Sequence, residues 1–230
     1  MLALLLLALA AYYLCRPFTA RNPVPPLFLG GIARIAGVQT HRAGCLPQGR
    51  TFLLANHVSW LDICVLAGAT GCAFVAHDGL ASFGPLRWLC RLNDTVFVAR
   101  SDRGSVATQV EQVREALHET GALTLFPEGT TGPGVPLLPF KSALVSALVP
   151  LPGDVAVIPV WIDYGCEAQD IAWIGEEAGL DNVLRILARR EPIAVKVHML
   201  GELSDEALSN RKTITAAARQ AIESAMASAS

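Results

Sequence analysis

The chain alternates between two kinds of segment. Six short apolar runs, at 52–56, 72–76, 95–99, 122–126, 155–161 and 193–199, are separated by stretches of helical character at 60–68, 81–91, 104–120, 140–149, 180–190 and 204–226. Strand–helix alternation points to an α/β fold with a largely parallel central sheet flanked by helices. Phe52-Leu53-Leu54-Ala55 reads as a buried strand. The last helix opens on Ser204-Asp205-Glu206, which suits a cap. At 230 residues the chain is one ordinary domain, or one domain plus an anchor.

Composition narrows the partners. Hydrophobic residues make up 52% and charged residues 17%, which suggests contact with lipid. No long apolar run interrupts the body, so the body is not polytopic. A net charge of −2 argues against a nucleic-acid partner. Arg87, Arg91, Arg100 and Arg103 nevertheless share one stretch that can face anionic head groups. Within it, residues 83–92 either pack into the core or lie on a membrane with Trp88 at the interface; the mixture of apolar and basic residues favours the second. The six cysteines form no CxxC pair and no zinc spacing. Cys64, Cys72 and Cys90 read as small core residues, which implies a reducing compartment without structural disulfides or a metal site.

The amino terminus has its own character. Leu2 to Leu14 form an apolar run followed by Arg16 and Pro17. The run is short for a perpendicular span, has no basic residue before it and no small-x-small cleavage site after it. An interfacial or partly inserted anchor fits best; a span lengthened by its flanks and a cleaved signal are the alternatives. Arg16, Arg21, Arg34 and Arg42 follow with no acid before Asp62, and the positive-inside bias then keeps the rest cytoplasmic. Pro17, Pro23, Pro25, Pro26 and the pair Gly30-Gly31 read as a linker leading to a short helix. That gives an anchor and Pro-rich linker at 1–31 and the domain proper at 32–230.

Two motifs carry chemistry. Asn56-His57-Val58-Ser59-Trp60-Leu61-Asp62 places a His and an Asp five residues apart directly after the first apolar run. An imidazole beside a carboxylate can take a proton from a hydroxyl near neutral pH, the Asp holding one ring nitrogen protonated while the other acts as base. Residues five apart do not share a helix face. The pair therefore requires His57 in a strand-to-helix turn and Asp62 in the first turn of the helix. The second motif, Leu123-Thr124-Leu125-Phe126-Pro127-Glu128-Gly129-Thr130, is a strand running into a tight turn at its carboxyl end, where sites in open α/β sheets collect. Ser59 lacks a G-x-S-x-G elbow and is not a serine nucleophile. His41, His118 and His198 read as surface or structural residues.

Together, NHVSWLD and FPEGT resemble the glycerolipid acyltransferases that include lysophosphatidate acyltransferase. The resemblance covers roughly residues 25 to 200. Gly84-Pro85-Leu86 through Arg100 is similar to the family's second block, and Val157-Ile158-Pro159-Val160 to its fourth. What the resemblance implies is an O-acyltransferase moving a fatty acyl group from acyl carrier protein or coenzyme A to a lysolipid hydroxyl. No cofactor is implied beyond that thioester co-substrate. Catalysis would fall to His57 and Asp62, with Glu128 on the acceptor's hydroxyls and the amides of Gly129 and Thr130 on an anion or the oxyanion. Arg100 is either a head-group or donor-phosphate cation or a strand-end salt bridge. The implied setting is the inner membrane, with the catalytic domain facing the cytoplasm. A catalytically silent lipid-binding protein of the same fold is the alternative reading.

Two departures bear on the acceptor. The lysophosphatidate enzymes usually read FPEGTR and carry a Lys in an A-K-x-E-L segment. Here those cationic positions hold Thr131 and His77. Thr cannot supply the charge-assisted bonds of an Arg fork on phosphate. A different head group, such as that of lyso-ornithine lipid, is favoured. Leu138-Pro139-Phe140-Lys141-Ser142 resembles a segment of that branch, in which Lys141 either substitutes as a cation or caps a helix start.

Overall fold

A computed structural model describes residues 2–19, 21–46, 48–77, 84–98, 106–146, 149–151 and 154–229. Among the described residues, seven strands form one sheet in the order β1-β7-β6-β2-β5-β3-β4. They are β1 (Val38–Ala43), β2 (Arg50–Ala55), β3 (Ala73–His77), β4 (Val96–Val98), β5 (Ala122–Leu125), β6 (Val155–Asp163) and β7 (Ile193–Met199). Every neighbouring pair is parallel except β6 with β7. The expected α/β architecture with a largely parallel sheet is the observed one.

The central strand β2 shows why its sequence is apolar throughout. Leu53 and Ala55 join a core beneath α2 (Val24–Ile35), α3 (Leu61–Thr70) and α8 (Gly179–Leu187). Phe52 and Leu54 point the other way, into a core beneath α5 (Val106–Thr120) and α9 (Arg211–Ala229). A strand covered on both faces has no polar side to alternate with. The remaining helices are α1 (Leu2–Cys15), α4 (Gly84–Leu92), and the short α6 (Ser142–Val145) and α7 (Ala168–Ile171). Cys64 and Cys72 are buried as expected, whereas Cys90 is only half-buried. Burial pushes the Cys64 thiol up to about 12.

Three sequence expectations are revised by the fold. Strand β1 was not anticipated: Val-Gln-Thr-His-Arg-Ala buries only its first residue, because it is an edge strand held by backbone pairing to β7. The helix expected over 204–226 is interrupted. A single 3-10 turn covers Ala207–Ser209, and α9 begins after Asn210, whose Oδ1 accepts from the Lys212 and Thr213 amides. The helix expected over 140–149 is confined among the described residues to α6 and the turn at Ser146.

The largest revision concerns the Pro- and Gly-rich linker. Pro25 and Pro26 lie in the first turn of α2, where the missing N–H costs nothing. Gly30 and Gly31 lie within the same helix and form its contact surface. A Cβ on Gly68 of α3 would stand 2.8 Å from the Gly30 Cα. Helices this close tolerate only glycine at the crossing. Helix α1 reaches the body through α2: its Leu4 side chain sits against Gly31, and the Tyr12 carbonyl accepts from Asn22 Nδ2. The boundary drawn at residue 31 thus falls inside one helix that is packed on the domain. Gly68→Val is expected to separate α2 from α3 and cost about 1–3 kcal/mol, the usual range for overpacking. Equilibrium denaturation measures it, and an unchanged unfolding free energy would refute the close crossing.

Candidate active site

Strands β2 and β5 are parallel neighbours in register from Thr51 with Ala122 to Leu54 with Leu125, so the two sequence motifs leave the sheet side by side. Asn56 fixes the exit of β2. Its Nδ2 donates to the Ile162 carbonyl (3.1 Å) and its Oδ1 accepts from the Ile162 amide (2.7 Å), extending the ladder to β6 through a side chain. His57 follows in the turn and Asp62 in the first turn of α3, the placement that the spacing requires. His57 Nδ1 lies 2.8 Å from Asp62 Oδ2.

Asp62 is fully buried. Its Oδ2 also accepts from the amides of Val58 (2.6 Å) and Ser59 (2.9 Å), and its Oδ1 accepts from the Tyr164 hydroxyl (2.6 Å). An oxygen already accepting from two amides is an acceptor towards the imidazole as well. The proton therefore sits on Nδ1, which leaves Nε2 as the basic nitrogen. Burial, and then the neighbouring Asp62 charge, hold the Tyr164 hydroxyl well above its ordinary value. It stays protonated and remains a donor. Phe126 stacks on the His57 ring at 4.0 Å between centroids and 15° between planes, fixing its tilt.

Glu128 is buried at 2% exposure, and both its oxygens are engaged by the backbone. One accepts from the His57 amide (2.8 Å), the other from the Leu138 amide (3.0 Å). Burial raises its carboxyl above the usual carboxylate range, against the pull of these two amides. The Gly132 amide donates to the His57 carbonyl (2.8 Å), and the Trp173 amide to that of Val58 (2.9 Å). The turn that carries His57 is thus held from the FPEGT turn on one side and from residue 173 on the other.

The remaining expected site residues are less tightly grouped. The Gly129 amide donates to the Phe126 carbonyl (3.0 Å), closing the turn, and Thr130 is exposed beside it. The Thr131 hydroxyl turns towards the protein and donates to the Trp173 carbonyl. His77 ends β3, two strands from β2, and its side chain lies outside the described residues. Arg100 and Arg103 also lie outside them. Lys141 is exposed at the cap position of α6, with its amide bonded to the Pro127 carbonyl (2.7 Å). Tyr164 was missed by sequence reasoning. The only available signal was a phenol at the end of an apolar strand that neighbours β2.

These features define an α/β protein with an Asp-oriented histidine at the carboxyl ends of parallel strands. The acyltransferase family model matches residues 37–163, and the chain belongs to that family. A lyso-ornithine lipid O-acyltransferase from Brucella abortus is 35% identical over 150 residues, covering 63% of this chain and 56% of that protein. One from Rhodobacter capsulatus is 29% identical over 222 residues, covering 92% and 78%. The crystal structure of the 1-acyl-sn-glycerophosphate acyltransferase PlsC from Thermotoga maritima matches with a TM-score of 0.59 at 20% identity over 96% of both chains, a likeness of fold.

Tyr164→Phe removes one donor from a buried carboxylate while keeping the ring. A bond to a charged group is worth about 1.5–3 kcal/mol, and the unfolding free energy should fall by about that much. With one donor fewer, Asp62 supports the imidazolium more strongly. The acid limb of the pH–rate profile should therefore move to higher pH. If stability and profile both stay at their wild-type values, the hydroxyl is passive.

Proposed function

We propose that this chain transfers a fatty acyl group from acyl carrier protein or coenzyme A to the free hydroxyl of a membrane lysolipid. The observation that carries the reading is the His57 ring, locked by Asp62 and Phe126 with Nε2 as its basic nitrogen. Nε2 would take the hydroxyl proton as the alcohol attacks the thioester carbonyl. The resulting imidazolium would be stabilised by the buried Asp62 carboxylate. The thioester is already activated, so no covalent enzyme intermediate is needed. Glu128 is assigned to positioning: it anchors the His57 backbone from the FPEGT turn, in place of the acceptor-binding role that the sequence implied. With the Gly129 amide closing the turn, the oxyanion role falls to Thr130, backed by Arg100 as a head-group or donor-phosphate cation.

Membrane attachment belongs to the same proposal. Helix α1 has 14 residues, about 21 Å at ~1.5 Å per residue, against a hydrocarbon core of ~30 Å. No described helix is long and apolar enough to cross a membrane. Leu6, Leu7, Leu14 and Leu27 are nevertheless exposed on α1 and α2. An interfacial anchor that lies in the bilayer surface fits both facts. With the positive-inside bias, it would hold the catalytic domain on the cytoplasmic side of the inner membrane.

For the acceptor, lyso-ornithine lipid is proposed over lysophosphatidate. The relatives from Brucella and Rhodobacter support it. So does Thr131, whose hydroxyl is turned to Trp173 and supplies no cation for an acceptor phosphate.

Two experiments test this reading. His57→Ala should lower thioester consumption with lysolipid by roughly 10²–10⁴-fold, the span for loss of a general base, without unfolding the protein. Near wild-type turnover in the folded variant would remove His57 from the mechanism. Thr131→Arg should raise kcat/KM for lysophosphatidate relative to lyso-ornithine lipid by roughly tenfold or more, since each charge-assisted bond contributes about 1.5–3 kcal/mol. Thr131→Val, which loses the bond to Trp173 without adding charge, should leave the ratio unchanged. A wild-type preference for lysophosphatidate would overturn the acceptor assignment.

A further inference from the structure

The segment after Tyr164 is built as one unit and is fastened to the catalytic turn. Arg185 pairs with Glu177 and donates to the Ala172 carbonyl, and Asn182 bonds both Glu177 and Ala172. The Trp173 indole donates to the Glu177 carbonyl at 2.8 Å. The unit then grips the site twice, through the Trp173 amide on the Val58 carbonyl and the Thr131 hydroxyl on the Trp173 carbonyl. Its outer surface carries an apolar ridge. Leu180 and Leu184 lie on one side of α8, one turn apart, and are 69% and 55% exposed; Ile174, next to Trp173, is 50% exposed.

We propose that this α8 ridge is a lipid-contact surface, set into the boundary between head groups and acyl chains of the bilayer that carries the lysolipid. The proposal rests on the lysolipid reading and adds to it a surface beside the site. Three observations select a bilayer as occupant. First, α8 lies on the same face of the sheet as α2 and α3, and α1 packs on α2, so the ridge shares its side of the molecule with the exposed leucines of α1 and α2. Among the described residues, no large apolar side chain is exposed on α5 or α9, on the opposite face. Second, the charges around the ridge give no excess of cations. Arg185 pairs with Glu177 and Arg189 with Glu167 and Asp170, while Arg190 is outnumbered by the exposed acids Glu176, Asp181 and Glu191. Such a surface repels an acidic carrier protein, while its exposed Ile174, Leu180 and Leu184 suit the acyl boundary of a bilayer without net charge. Third, the segment that carries the ridge is hydrogen-bonded through Trp173 to the turn that holds His57, so a bilayer seated on the ridge lies beside that turn.

The test uses the full chain carrying Leu180→Ser and Leu184→Ser. Both side chains are exposed, so circular dichroism and the melting temperature should stay at wild-type values. Flotation with phosphatidylcholine vesicles at low and high salt reads binding directly. Acylation of lysolipid in vesicles, compared with a short-chain lysolipid dissolved as monomer, reads presentation. Two leucines leaving lipid should weaken partitioning roughly tenfold at both salt concentrations and lower kcat/KM on vesicles by a similar factor. Turnover of the monomeric acceptor should be unchanged. Unaltered flotation overturns the proposal. So does an equal loss on both acceptors, which would make the ridge part of the catalytic wall, and so does a change in sedimentation with flotation intact, which would make it a contact between copies. If no lysolipid is acylated but flotation still depends on the ridge, the proposed activity falls and the lipid contact stands.

Discussion

The Asp62 carboxylate is a charge at zero exposure, and the active end of this protein is organised around it. An uncompensated ion there would cost several kcal/mol. Compensation comes from four donors: the His57 ring, the amides of Val58 and Ser59, and the Tyr164 hydroxyl. Each donor fixes something else. The two amides dictate the path of the chain between β2 and α3. The ring bond selects the tautomer. The phenol ties in the end of β6. Asp62 also sits in the first turn of α3, where the helix dipole favours a negative charge. One carboxylate thus sits in the first turn of a helix, shapes the turn before it and orients the His57 ring.

The catalytic turn leaves the sheet at Asn56, and its buried backbone groups must find partners. They find them in distant parts of the chain. Ile162 is reached through Asn56, Glu128 takes the His57 amide, Gly132 meets the His57 carbonyl, and Trp173 meets that of Val58. This is why the FPEGT turn lies beside NHVSWLD although the two are about 70 residues apart. The acid of the second motif is a backbone acceptor for the first. Parallel pairing of β2 with β5 brings the motifs together, and Glu128 sets their final spacing.

Much of the architecture was legible because it depends on local pattern. Buried strands are apolar throughout, and a His and Asp five apart can meet only across a turn entering a helix. What escaped depends on partners far along the chain. Tyr164 touches Asp62 across 102 positions, and nothing local distinguishes it from any phenol ending a strand. Strand β1 is polar because only one of its residues faces the core, so it left no hydrophobic signature. The prolines of α2 were misread because Pro breaks a helix in its interior but fits its first turn, and sequence alone did not show where the helix began. Glu128 was read as binding the acceptor's hydroxyls; its bonds to the His57 and Leu138 amides were not legible, since backbone amides carry no side-chain signal.

Position 131 shows how acceptor choice can be tied to the way the site is walled. In the resemblance, this place holds a cation that reaches towards phosphate. Here a short hydroxyl turns back and fastens residue 173, whose own amide holds the catalytic turn. A longer charged side chain could not make that bond and also point at a ligand. Giving up the cation and fixing the wall are therefore one substitution seen from two sides. On the proposed reading, a head group bound here would be recognised by groups other than residue 131, while the segment carrying Trp173 is tied to the His57 turn. On the same reading, head-group selectivity and the position of the Trp173 wall beside His57 would be coupled through a single side chain.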